Sequence, residues 1–138
     1  MNRLRGRITG IESSDHLSLV DVSVGQDTFT AMLMETPQDA PHLKMGNEVA
    51  VLFKETEVSL AKELSGRLSL RNRVRGIVLQ IRRGDILCEV MLDCDGKSLT
   101  SIITARAVKR LELQEGDEVE ALIKANEVSL MEEAGHEL

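Results

Sequence analysis

Two short runs of this chain gather hydrogen-bond donors. One is Ser69-Leu70-Arg71-Asn72, the other is Lys124-Ala125-Asn126, and Thr104 stands between them in sequence. Hydroxyl, guanidinium, amide and ammonium groups all donate. Such a set is one of donors rather than of acids, bases or nucleophiles. It does not suit bond-breaking chemistry. No histidine stands at paired spacing with a carboxylate, and neither a nucleophile elbow nor a glycine-rich phosphate loop occurs. A non-enzymatic protein is expected.

Composition excludes several other classes. The net charge of −6 opposes general attraction to nucleic acid or to an acidic membrane. With two Phe, no Tyr and no Trp, almost nothing is present on which bases could stack. No apolar run approaches the roughly 20 residues that cross a bilayer, and "MNRLRGRITG" carries no apolar signal core, so a cytoplasmic location is expected. Cys88 and Cys94 lie six apart in what reads as one strand, about 20 Å when extended, which is too far to bridge. They lack zinc spacing, and His16, His42 and His136 are scattered, so no metal held directly by side chains is expected.

What positions the donors is a repeat. At a constant offset of 70, "NRLRGRITGI" from Asn2 falls on "NRVRGIVLQI" from Asn72, and "GNEVAVLFKETEVSL" from Gly46 falls on "GDEVEALIKANEVSL" from Gly116. Of the 61 pairs from Asn2/Asn72 to Lys62/Glu132, 19 are identical, and no gap is needed. The chain therefore divides into a first module at 1–64 and a second at 65–138, joined through the polar stretch "KELSGRLSLR".

Within each module the period is that of strands. Cys88, Val90, Leu92 and Cys94 alternate onto one face, as do Ser18, Val20, Val22 and Val24. Asp95-Gly96 is a two-residue hairpin signal. "ARAVKRLEL" fits one or two helical turns with Thr104 as N-cap, whereas Pro37 and Pro41 predict a shorter or distorted helix in the first copy. The expected fold is mainly β: two tandem small five-stranded OB-like barrels, each with one short helix. The closing "EEAGHEL" is expected to fray. Barrels this small bury little surface alone, which predicts oligomerisation.

"SLRN" before a strand, "SIIT" opening a helix and "GDEVEALIKANEVSL" at the end resemble the molybdate-binding Mop domain, or molbindin. The resemblance covers nearly the whole chain as two copies and is stronger in the second. It implies a cytoplasmic protein binding molybdate or tungstate for storage, homeostasis or sensing, with no organic cofactor. It also implies a homo-oligomer, a trimer for a two-module chain, with oxyanion sites at module interfaces. The residues carried over are Ser69, Leu70, Arg71, Asn72, Thr104, Lys124, Ala125 and Asn126. Asn2, Lys54 and Thr56 are weaker first-copy counterparts.

A tetrahedral dianion must exchange its hydration shell for donors, which these residues supply; site geometry rather than net charge decides such binding. Each also has a plainer reading. Lys54 and Lys124 suit solvated strand ends, Arg71 a solvated linker charge, Asn2 and Asn72 strand starts, and Thr104 a helix cap. In the first copy Met34 stands opposite Thr104, and Glu55-Thr56 opposite Ala125-Asn126. Those departures keep open an alternative: a ligand-free structural or regulatory module acting on a transporter or transcription regulator.

Overall fold

The computed structural model of the chain describes residues 1–133, which divide into two compact units. Fraying was expected over the closing run 132–138, but Glu132 ends a strand and Glu133 is buried and paired with Arg3 and Arg5, which hold it to the sheet; residues 134–138, His136 among them, lie outside the described residues. Among the described residues, unit one takes Met1, residues 3–53 and residues 124–133; unit two takes Asn2 and residues 54–123.

Unit one contains β1 (Asn2–Ser14), β2 (Leu17–Val24), β3 (Asp27–Leu33), β4 (Glu48–Phe53) and β10 (Ser129–Glu132), in the sheet order β10-β4-β1-β2-β3. Unit two contains β5 (Ser59–Ala61), β6 (Asn72–Arg83), β7 (Leu87–Cys94), β8 (Lys97–Thr104) and β9 (Glu118–Ile123), in the order β5-β9-β6-β7-β8. Both sheets are five-stranded and OB-like, as the alternation predicts. The repeat boundary at 64/65 is not where the compact units divide. β5, from the first repeat, pairs antiparallel with β9, and β10, from the second, pairs antiparallel with β4. The reason is local: after Phe53 and after Ile123 the chain leaves in an extended conformation at Lys54 and Lys124, passes a 3-10 turn, and only then forms its last strand.

The long first strand of each repeat serves two partners. Asn72–Ile77 of β6 pairs with β9, and Ile77–Arg83 pairs with β7. The change of partner coincides with an irregularity between Val78 and Gln80, matched in β1 between Ile8 and Gly10. At those points Ile8 exchanges main-chain bonds of 2.9 Å with Gly46 and Asn47, and Val78 does the same with Gly116 and Asp117 at 2.7 and 2.9 Å. A bulge bends the strand and increases its twist, which lets one strand turn the corner of a small barrel.

The cores follow the alternation. In unit one Phe29 and Phe53, the two aromatic residues of the chain, stack with centroids 5.9 Å apart among buried Val20, Val22 and Val51. In unit two the core contains Val90, Leu92, Leu99 and Ile123, together with the thiols of Cys88 and Cys94, which form no disulfide. Asp95 and Gly96 both adopt positive φ, 57° and 88°, and close the β7–β8 hairpin.

The expectation of one helix per module holds for the second copy alone. α1 spans Ala105–Arg110, and the Thr104 hydroxyl accepts from the Ala107 N–H at 3.0 Å. In the first copy residues 37–42 form turns instead. Pro37 and Pro41 lack an N–H, and proline in a helix interior clashes with the preceding turn.

Gly6 and Gly76 occupy matched positions where the first strand of each repeat passes closely over the end of the second. A Cβ at Gly6 would stand 2.5 Å from Val22 Cγ1 and 2.6 Å from the Ser23 carbonyl oxygen. Gly6→Ala is expected to cost about 1–3 kcal/mol through overpacking, read as a lower urea midpoint with an unchanged slope.

Candidate functional site

The expected donors fall into both units. Asn2, Lys54, Thr56, Ser69, Leu70, Arg71, Asn72 and Thr104 belong to unit two, and Lys124, Ala125 and Asn126 belong to unit one. In unit two the 3-10 turn Glu55–Glu57 lies against β8, the strand that ends at Thr104. The matching turn Ala125–Glu127 lies against β3 in unit one. The lysine-bearing segment brought to the strand of Thr104 within its unit is thus the first repeat's Lys54–Thr56. Repeat order alone points to Lys124–Asn126.

Several bonds set this arrangement in unit two. The Ser101 hydroxyl, fully buried on β8, donates to the Val58 carbonyl at 2.7 Å and fixes the chain as it leaves the turn. The turn itself is closed by the Lys54 N–H donating to Glu57 Oε1 at 2.8 Å. Thr104 caps α1 with its oxygen, which leaves its hydroxyl hydrogen to donate outward.

Lys62 holds the other end of the same helix, a role that sequence reading missed. Its Nζ donates to the carbonyls of Leu111 and Glu112 at 3.2 and 2.9 Å and pairs with Asp117 Oδ2 at 3.0 Å. A cation there satisfies the orphan carbonyls of a helix end and complements its dipole. The signal was available at the matched position: Lys62 falls opposite Glu132, and the first copy has no helix to hold.

The asparagines stand at strand starts. Asn2 donates from Nδ2 to the Thr100 carbonyl and accepts the Thr100 N–H at Oδ1, both at 2.8 Å, so its amide completes main-chain pairing on β8. Asn72 is fully buried at the start of β6. Ser69, Arg71, Thr104, Lys54, Thr56, Lys124 and Asn126 are exposed, and Leu70 and Ala125 are partly buried.

The cations also sort themselves. Arg73 forms a two-pronged pair with Glu120, both bonds 3.0 Å; Arg3 and Arg5 reach Glu133, and Arg7 reaches Glu48. The side chains of Arg71 and Lys124 have no ion pair or hydrogen bond among the described residues. With Lys54, whose ammonium likewise has no partner among the described residues, they are the expected cations left to meet something from outside. Among the described residues no group of three or more His, Cys, Asp or Glu is placed to hold a metal ion, and no helix is long and apolar enough to cross a membrane.

Comparison with known proteins agrees with this plan. Residues 68–130 match the TOBE domain. The chain is 40% identical over 108 residues to the molybdenum-pterin-binding protein MopB of Rhodobacter capsulatus, covering 77% of this chain but 40% of that protein's length. It is 37% identical over 65 residues to molybdenum-pterin-binding protein 1 of Clostridium pasteurianum, which covers 46% of this chain and 96% of that protein. A solved structure of the cytoplasmic molybdate-binding protein ModG, with molybdate bound, superposes with a TM-score of 0.90 at 32% identity over 96% of each chain. The chain belongs to the Mop family, as two tandem modules.

The TOBE match in this Mop chain spans Ser69–Asn72, Thr104 and Lys124–Asn126, the stronger second-repeat candidates, and leaves Asn2, Lys54 and Thr56 outside. Beside those residues the ion pairs of unit two tie the chain's stability to pH. The bonds from Arg73 hold the Glu120 carboxyl below its ordinary range, outweighing the opposite pull of burial. The Gln114 N–H and then Lys62 do the same for Asp117. A carboxyl depressed by folding adds stability above its unfolded value of about 4.3 for Glu, and that contribution is lost as pH falls through the lower folded value. Glu120→Gln is therefore expected to flatten the loss of stability below about pH 4, as read by urea unfolding at a series of pH values.

Proposed function

We propose that this chain is a cytoplasmic, non-enzymatic oxyanion-binding protein that takes molybdate or tungstate for storage, homeostasis or sensing. The observation that carries the reading is the likeness to ModG along 96% of both chains, in a structure that holds molybdate. The chemistry of the surface supports it. Arg71 and Lys124 are exposed cations without an internal partner, and Ser69, Thr104 and Asn126 add exposed donors. A dianion meeting these groups gains charge-assisted bonds without breaking ion pairs already made.

In this reading the anion binds where modules of different copies meet in a homo-oligomer, a trimer for this two-module chain. No single compact unit carries the whole donor set, since Lys124–Asn126 and the Ser69–Asn72 segment belong to different units. The amide of Asn2 acts through the fold by pairing with the main chain of Thr100, and Asn72 starts the strand that follows Leu70 and Arg71. Molybdate and tungstate share shape and charge, so the same donors serve both.

A regulatory module without ligand is the second reading, favoured by Met34 and Glu55 at first-copy positions where the second copy has Thr104 and Ala125. Titration calorimetry separates the two. Molybdate is expected to bind the folded oligomer, with sulfate as a much weaker control. Arg71→Ala and Lys124→Ala are each expected to weaken molybdate about tenfold or more, the loss of one hydrogen bond to a charged group, about 1.5–3 kcal/mol. Absence of heat with a well-folded oligomer overturns the storage reading, and unchanged affinity in both variants removes the site assignment.

A further inference from the structure

At the end of their first hairpin the two repeats carry different charge and polarity, with Glu12, Ser13 and His16 opposite Arg82, Arg83 and Ile86. In unit two the hairpin ends in Arg82, Arg83, Gly84, Asp85 and Ile86. Ile86 is 76% exposed and its neighbour Leu87 53% exposed. This apolar tip is rigid: the Gly84 N–H donates to the Leu87 carbonyl at 3.0 Å, and the Ala105 N–H donates to the Ile86 carbonyl at 2.7 Å. The second bond ties the tip to the start of α1, beside exposed Arg106. Arg83 and Arg106 have no side-chain partner among the described residues.

Unit one offers the complement at the same place. Ser13, Leu17, Leu19 and Met32 line a cavity of about 240 Å³, with Glu12 among its walls. The register accounts for it: Glu12 stands beside Leu19, and Leu19 beside Met32, across β1, β2 and β3. In unit two the same row reads Arg82, Glu89 and Ile102, in which Arg82 pairs with Glu89 at 3.1 Å. The knob residue Ile86 is replaced in unit one by His16, and Arg83 and Arg106 by Ser13 and Thr36. One repeat therefore carries a basic apolar knob and the other an apolar pocket with an acidic wall.

We propose that the Ile86 tip of one copy seats in the Leu17–Leu19–Met32 pocket of a second copy of this chain, with Arg83 beside Glu12. The surface rests on the homo-oligomer reading above but not on the identity of any ligand. The contact is heterologous, one patch meeting a different patch, so each copy offers one knob and one pocket, and repetition closes a ring if the rotation allows. A knob already held by two main-chain bonds loses little freedom on docking. The opposite charges set orientation and oppose the pairing of two tips or two pockets.

The test uses the full chain without molybdate, so that its result is independent of oxyanion binding. Mass is read by light scattering and native mass spectrometry. The wild type is expected to be an oligomer, and Ile86→Glu and Leu19→Glu, both at exposed positions, are each expected to be monomeric with unchanged circular dichroism. Mixed in equal amounts at high concentration, the two variants are expected to form a one-to-one dimer, because one retains the pocket and the other the knob. If either variant fails to fold, Arg83→Glu is expected to loosen the oligomer at least tenfold, and adding Glu12→Arg is expected to restore it. A monomeric wild type, wild-type mass in Ile86→Glu, a mixture that stays monomeric, or no rescue by the charge exchange overturns the proposal.

Discussion

A strand at the edge of a sheet presents a row of unpaired N–H and C=O groups, and everything in this chain is arranged around that constraint. Without β10, β4 would be an edge, and without β5 so would β9. Each is completed by a short strand from the other repeat. The turns before those strands, the buried Ser101–Val58 bond and the Lys62 clamp on α1 all follow from delivering three or four residues to the correct edge. The polar stretch between the repeats is therefore more than a tether, because the residues just before it belong to the sheet of unit two.

That exchange also explains what the sequence makes legible. The repeat, the alternation in β7, the Asp95-Gly96 hairpin and the Thr104 cap are local patterns, and each appears where its residues predict. Which copy a last strand joins is not local. "EVSL" occurs in both repeats with the same chemistry, and nothing within it distinguishes β4 from β9 as a partner. The asparagines were legible as strand starts, but the partner of Asn2 was not: its amide is engaged on the main chain of Thr100, 98 residues away. The missing first helix was half legible, since the prolines forecast distortion and the outcome is a run of turns.

Charge behaves in the same selective way. An acidic chain holds an anion only if some of its cations are not already neutralised. Most arginines of the first strands are committed: Arg3 and Arg5 to Glu133, Arg7 to Glu48, Arg73 to Glu120. The arginine ends of those pairs are exposed, and the pairs remove positive charge from competition. Among the candidate site residues the uncommitted charge lies at Lys54, Arg71 and Lys124, and it is local and addressable. A net charge of −6 therefore says little about a site built from a few oriented donors.

The distribution of sulfur gives the molecule a natural reporter. Both thiols, Cys88 and Cys94, lie on β7 in unit two, at 2% and 0% exposure, and unit one contains no cysteine. A thiolate reacts only when reagent reaches it, so modification must wait for β7 to open. A thiol-reactive dye applied to the native chain would thus time the breathing of one half and stay silent about the other, with no label engineered in.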